Sequence, residues 1–185
     1  RSSDRVRAVV TARKGQHPTR LVVSGFVALI AVGTVLLSLP VAHADGRSPG
    51  LWHQLFTATS AATVTGLTSV AASEWSTFGT VVLLVLVQLG GFGIMTVGAV
   101  LVIVTSQRLG LRQRQLTQTE IGALTPGEIG HLLRTIAIVT IVIEGITAVV
   151  LALRFWQRGT ESFGRSLWSG VFHSVMAFNN AGMSL

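Results

Sequence analysis

Long stretches without a charged side chain constrain this protein more than any other feature. Leu21 to Ala44 is 24 residues without Asp, Glu, Lys or Arg, and Trp75 to Gln107 is 33. Either can cross a bilayer as a helix, since the hydrocarbon core takes about 20 apolar residues. A third run, Thr135 to Leu153, holds one charge, Glu144, near its middle and is expected to be a third span. Only 11% of the 185 residues are charged, against about a quarter in soluble domains, which excludes a soluble globule. An apolar content of 49% excludes disorder. With no cysteine there is no disulfide framework, thiolate metal site or cysteine nucleophile.

The first helix should start near Thr19, after Pro18, and stop at Pro40. Arg13, Lys14 and Arg20, the apolar run and Ala42-His43-Ala44 also fit a secretory signal. That run is longer than the usual signal core of about 7–15 residues, so a retained helix is expected. Six basic residues up to Arg20, with Arg108, Arg112, Arg114 and Arg134, make ten on one side. Arg47, Arg154, Arg158 and Arg165 make four on the other. By the positive-inside rule the N-terminus and the 106–131 linker are cytoplasmic. The net charge of +7 thus reads as topology, with anionic lipid as partner and no nucleic acid. Thr117-Gln-Thr-Glu120 and Thr125-Pro-Gly-Glu128 fit capping boxes, so short interfacial helices are expected in the linker.

Two further charge-free windows, Ser48 to Ser73 and Ser166 to Leu185, mix an apolar helical stretch with Thr, Ser, Asn and Gly. Laid over each other they repeat. Leu51, Trp52, Phe56, Ala61 and Gly66 match Leu167, Trp168, Phe172, Ala177 and Gly182 at one offset of 116 (182 minus 66), with Leu67 against Met183 beside them. Such a match argues for a duplicated unit. In the first unit Ser48-Pro49 is expected to open a short helix over 49–62, by an N-cap and a proline in the first turn. The polar loop 63–69 follows. In the second unit the helix is expected over 166–178 and the loop over 179–185. A helix of about 12 residues is about 18 Å long and crosses half a membrane. Non-helical backbone at that depth is tolerated when it is buried in protein or lines a water-filled path. The loop 63–69 offers carbonyls and hydroxyls without a formal charge, a set that can replace the water shell of a monovalent cation. The negative end of the preceding helix dipole favours the same charge. Gly66 and Gly182 allow positive φ. An ordinary turn would account for either glycine alone, but equivalent glycines after duplicated half-helices favour an ion filter.

Phe56-Thr-Ala-Thr-Ser-Ala-Ala-Thr-Val-Thr-Gly-Leu-Thr68, Gln88-Leu-Gly-Gly-Phe-Gly-Ile-Met-Thr96 and Ala177-Phe-Asn-Asn-Ala-Gly-Met-Ser184 resemble the membrane subunit of the Trk/Ktr/HKT superfamily of cation transporters. The likeness runs from the first helix to the end of the chain. It implies an all-α membrane protein built from four repeats of outer helix, pore helix, filter loop and inner helix around one pseudo-fourfold pore. Residues 1–18 would be a basic cytoplasmic tail, 19–105 the first repeat, 106–131 the linker and 132–185 an incomplete second repeat with outer helix 132–153. The missing repeats are expected in a longer chain. Carried over to this sequence, the first filter is Thr63, Val64, Thr65, Gly66 and Leu67. The second is Asn179, Asn180, Ala181, Gly182 and Met183. In this family a glycine at the first filter goes with K⁺ and a serine with Na⁺, so Gly66 points to potassium. The short N-terminal region is more like the Ktr branch. The resemblance further implies a bacterial cell membrane, a homodimer and a ring of cytosolic nucleotide-binding regulatory subunits of the KtrA or TrkA type. Any nucleotide cofactor would bind that partner rather than this chain.

Glu144 is a functional candidate because an intramembrane carboxylate is costly, about 3 kcal/mol. A hydrogen bond to another helix would account for it, and Gln88 and Asn179 read as interhelical hydrogen bonders. Gly90, Gly91 and Gly93 read as packing residues. His53 and His173 do not match across the repeat, so no transition-metal site is expected. Trp52, Trp75, Trp156 and Trp168 read as an aromatic belt. Three rivals stand beside a K⁺ pore subunit: an ion- or proton-coupled secondary transporter using Glu144, an Na⁺-permeable relative, and a non-conducting scaffold. An intramembrane enzyme is disfavoured, since no His-Glu-x-x-His helix or paired acid occurs.

Overall fold

The structure is a computed structural model that describes residues 18–109, 126–159 and 162–185. The described residues are all-helical. In chain order the helices are α1 (Pro18–Ser38), α2 (Leu51–Ala62), α3 (Thr77–Leu109), α4 (Pro126–Gln157) and α5 (Phe163–Phe178). Short 3₁₀ turns at Pro40–Ala42 and Ala72–Glu74 join them. Within α3 and α4, Thr77–Leu101 and Gly130–Gln157 are long and apolar enough to cross a membrane. The apolar part of α1, Val22–Ser38, is shorter. The basic tail, the first linker box at Thr117 and most of the linker lie outside the described residues. The Thr125 cap does too, although α4 does begin at Pro126, where proline's fixed φ suits a first turn.

Two of the expected helix starts shift. α2 opens at Leu51 rather than at Pro49: Gly50 is the N-cap at φ 116, and its carbonyl takes the first backbone bonds, from His53 and Gln54. Ser48 is not the cap. Its hydroxyl instead accepts from the Gln54 side chain at 3.4 Å. α5 opens three residues earlier than expected because Ser162 is extended and accepts from Ser166 N at 2.9 Å.

The contacts between helices set the depth of each short helix. α2 starts beside the α1–α2 turn, where Gln54 Nε2 lies 3.1 Å from His43 Nε2. It ends against the middle of α3. A methyl on Gly90 would fall on the Ala62 carbonyl, and Gly90 is 13 residues into α3, about 20 Å along it. The loop then returns to its starting level, for Ser69 Oγ lies 3.1 Å from His53 Nδ1. Helix and loop together form a hairpin that reaches about halfway along the apolar part of α3, Thr77–Leu101. α5 repeats this against α4. Trp156 and Phe163 meet edge to face at the shared end, Gly170 packs on Ala148 and Ala152, and the Ser174 hydroxyl donates to the Glu144 carbonyl at 2.6 Å. Glu144 is again 13 residues from the end of α4.

The buried core joins the two units, with Leu37, Ala58, Leu83, Leu86 and Val87 packed with Phe172, Met176 and Ala181. Trp75 belongs to it. The belt assignment fails for Trp75, which is 9% exposed and stacks on His43 at 4.9 Å between centroids. The turn before α3 folds back on Ala42 and Ala44 through backbone bonds from Ser76 N to Ala42 O and from Ala44 N to Glu74 O. The Ala42-His43-Ala44 segment is therefore knitted into the fold. Trp52 and Trp156 remain exposed, as an interfacial anchor requires.

Candidate ion-binding loops

The two loops are built alike, bond for bond. After α2, Thr63 N donates to Thr59 O, Val64 N to Ala61 O and Thr65 N to Ser60 O at 2.9, 3.1 and 2.8 Å. After α5, Asn179 N donates to Val175 O, Asn180 N to Ala177 O and Ala181 N to Met176 O at 3.1, 3.0 and 2.8 Å. Each partner is displaced by the same 116 positions. Both are Schellman endings, in which the turn residue takes the left-handed conformation to close the helix. That residue is Val64 at φ 56 and Asn180 at φ 58, and the glycines two places on stand at φ 81 and 67. Glycine and asparagine tolerate this region, whereas a β-branched valine there is strained. Val64 holds it because its side chain packs against the core.

This geometry divides the backbone groups by sign. The N–H groups of the first turn point back into the helix. Leu67 N goes to the Ser60 hydroxyl at 2.7 Å. Among the described residues, the carbonyls of 63–67 and 179–183 accept no hydrogen bond from the chain. A loop whose first-turn donors, at 63–65 and 179–181, are turned inward and whose carbonyls are free is suited to a cation, because carbonyl oxygens can take the place of ion-bound water. The Thr63 and Thr65 hydroxyls bond each other at 2.7 Å, and Thr63 Oγ1 also donates to Thr59 O at 2.8 Å.

The loops touch each other at Gly66. A methyl there would fall on the Ala181 carbonyl, while the same methyl on Gly182 meets nothing within 4 Å. Gly66, Gly182 and Met183 line one cleft of about 420 Å³ with Thr68, Ser69 and Trp75. Thr63, Thr65 and Leu67 line a separate recess of about 280 Å³ with Thr59 and Ser60. Ala181 is fully buried, and Asn179 nearly so.

The Asn179 side chain serves the packing around the second loop. Its amide nitrogen donates to Gln88 Oε1 at 3.0 Å and to Glu144 Oε1 at 3.2 Å, and Gln88 Nε2 donates to Glu144 Oε2 at 3.2 Å. The expectation that these three are interhelical bonders is met, and they turn out to be one another's partners. The packing role of the α3 glycines is met as well, with Gly90 against Ala62, Gly91 against Asn179 and Gly93 against Phe26. Ser60 joins the site only in the folded chain, through Leu67 N. Its repeat counterpart is Met176, so the repeat carried no signal for it. Among the described residues no group of His, Asp and Glu is placed to hold a metal ion.

A family model described as TrkH, cation transport protein, matches residues 7–185. The chain is 37% identical over 170 residues to the Ktr system potassium uptake protein B of Bacillus subtilis (strain 168), covering 91% of the chain and 37% of that relative. It is 37% identical over 178 residues to the protein of the same name from Vibrio alginolyticus, covering 93% of the chain and 37% of the relative. To the potassium/sodium uptake protein NtpJ of Enterococcus hirae it is 31% identical over 179 residues, covering 94% and 38%. The chain thus spans little more than a third of the length of these curated relatives. It belongs to the TrkH family of cation transport proteins and is a membrane protein of the Trk/Ktr type.

Proposed function

We propose that this chain supplies the first two filter-bearing units of a K⁺ uptake pore in a bacterial cell membrane, as a transport protein and not an enzyme. The observation that carries the reading is the repeated loop geometry, with the donors of 63–65 and 179–181 turned into the helix and the carbonyls of 63–67 and 179–183 left free among the described residues. In this reading α1, α3 and α4 span the bilayer with the N-terminus cytoplasmic, and the α2 and α5 hairpins re-enter from the outer leaflet. An ion loses its water to the carbonyls of the two loops and of two further units that complete a pseudo-fourfold ring. The contact between Gly66 and Ala181 supports this arrangement, since the same neighbour relation leaves Gly182 open for a third unit. Homodimerisation and a ring of cytosolic nucleotide-binding subunits on the basic inner face belong to the same proposal. The relatives named as parts of a Ktr system support it.

A relative named for both potassium and sodium uptake keeps an Na⁺-permeable pore as the second reading. The test is Gly66→Ser in the full-length protein reconstituted in liposomes, read as rubidium tracer uptake with Na⁺ as competitor. A K⁺ filter predicts a fall in K⁺ over Na⁺ preference. Unchanged tracer flux and unchanged Na⁺ competition would remove the filter assignment. Coupled transport through Glu144 would instead be marked by loss of uptake in Glu144→Gln while Gly66 substitutions do little.

A further inference from the structure

We infer that Gln88, Glu144 and Asn179 form a closed hydrogen-bonded ring that fixes the second loop in place and thereby sets its ion preference. This rests on the filter reading above. Each member comes from a different element: Gln88 from α3, Glu144 from α4, and Asn179 from the C-cap of α5. Every pair is bonded, at 3.2, 3.0 and 3.2 Å. Asn179 Nδ2 also lies 3.0 Å from Val175 O, so its two hydrogens are shared among three acceptors and tie the ring to the last turn of α5. Polar groups removed from water are costly unless bonded, and Asn179 Oδ1 is buried without a partner among the described residues, so an apolar trio would pack at less cost than a carboxylate and two amides. Retaining them needs a reason beyond stability.

Location supplies that reason. Asn180 follows at φ 58, and the next residue is Ala181, whose carbonyl lies where a methyl on Gly66 would go. A single residue, Asn180, therefore separates the ring from the contact between the loops, which leaves little slack for the second loop to move independently. The first loop is held differently, by its own Thr63 and Thr65 hydroxyls and by Ser60. The repeat offset puts Ala28 at the position of Glu144 and Thr63 at that of Asn179. The ring is thus peculiar to the second loop and not a general feature of the duplicated unit. Gly91 is shaped to it, because a methyl there would fall on Asn179 Oδ1.

The ring makes a sharp distinction between bonding and charge. Glu144→Gln leaves two amide donors with one acceptor fewer. The exchange of Gln88→Glu with Glu144→Gln restores every bond, because a carboxylate at 88 can accept from Asn179 and from the amide at 144, whose oxygen accepts from Asn179. In the full-length protein in liposomes, each single variant should lower the K⁺ over Na⁺ ratio at least fivefold, read from the KM values at equal protein. The exchange should return it to within about twofold of the unaltered protein, since the count of bonds is what matters. An exchange no better than Glu144→Gln overturns the inference in favour of a role for the charge at 144 itself. Unaltered ratios in both single variants overturn it in favour of simple packing. Gly91→Ala keeps all three side chains but crowds Asn179 and should shift the ratio in the same direction. An unaltered ratio there overturns the inference even where the Glu144 variants fail to reach the membrane. Gly66→Ser run in parallel separates the two claims, since an unaltered ratio in that variant strikes the filter reading itself.

Discussion

The unequal surroundings of Gly66 and Gly182 allow the completed pore to be tested from two units. Both glycines hold positive φ, at 81 and 67, a conformation that costs an ordinary residue about 1–2 kcal/mol. Gly66→Ala adds an overlap with the Ala181 carbonyl. A backbone atom there cannot rotate aside, so the second loop must shift, and overpacking of this kind costs about 1–3 kcal/mol. The sum for Gly66 is about 2–5 kcal/mol. Among the described residues Gly182→Ala carries only the backbone cost, because nothing there lies within 4 Å of the added methyl. If further units follow the same neighbour relation, a third loop puts its own carbonyl against Gly182 and the two substitutions become equally severe. At about 1.4 kcal/mol per factor of ten, the missing overlap corresponds to roughly 5- to 150-fold. The assay is rubidium uptake and K⁺ over Na⁺ preference of the two full-length variants, normalised to protein in the liposomes. We expect the two to agree within about threefold, a margin of less than 1 kcal/mol. A Gly182→Ala protein that retains tenfold or more of the activity of Gly66→Ala would refute the neighbour relation and with it the fourfold ring.

Two further outcomes follow from the same contacts. Ser60→Ala removes the acceptor of Leu67 N and leaves an amide short of a partner, which costs about 1–3 kcal/mol. We expect faster hydrogen exchange at Leu67 and a higher KM for K⁺, with the second loop unaffected because Met176 offers no such bond; unchanged exchange at Leu67 would refute it. Gly90→Ala crowds the Ala62 carbonyl, whereas a methyl on Gly98, also in α3, meets nothing within 4 Å. The first should impair uptake, and the second should leave uptake intact and raise thermal stability by about 0.5–1 kcal/mol, the usual gain from alanine in a helix. Equal behaviour of the two would mean that the end of α2 does not rest on α3.

What the sequence makes legible here depends on whether a feature is set along the chain or across it. The spans are legible because a lack of charge over 33 residues is a one-dimensional fact and a bilayer admits few other solutions. The positive φ of Gly66 and Gly182 is legible because the residue type permits it. Val64 is a different case. Residue type argues against a left-handed valine, and only the offset from Asn180, which tolerates that region, could have carried the turn across to it. The burial of Trp75 is not legible, because the end of a span suits a membrane anchor and a core residue equally. Its partner His43 is 32 positions away, and the turn that joins them is visible only in the folded chain. Gln88, Glu144 and Asn179 lie between these extremes. Each, met alone in an apolar context, demands a bonding partner. Their separations of 56, 35 and 91 positions conceal that the three demands answer one another. In a chain with so few polar groups among its apolar stretches, such demands form a small pairing problem. The repeat narrows it further: Ala28 and Thr63 stand where the first unit would need an acid and an amide, so Gln88 has to find its partners, Glu144 and Asn179, across in the second unit.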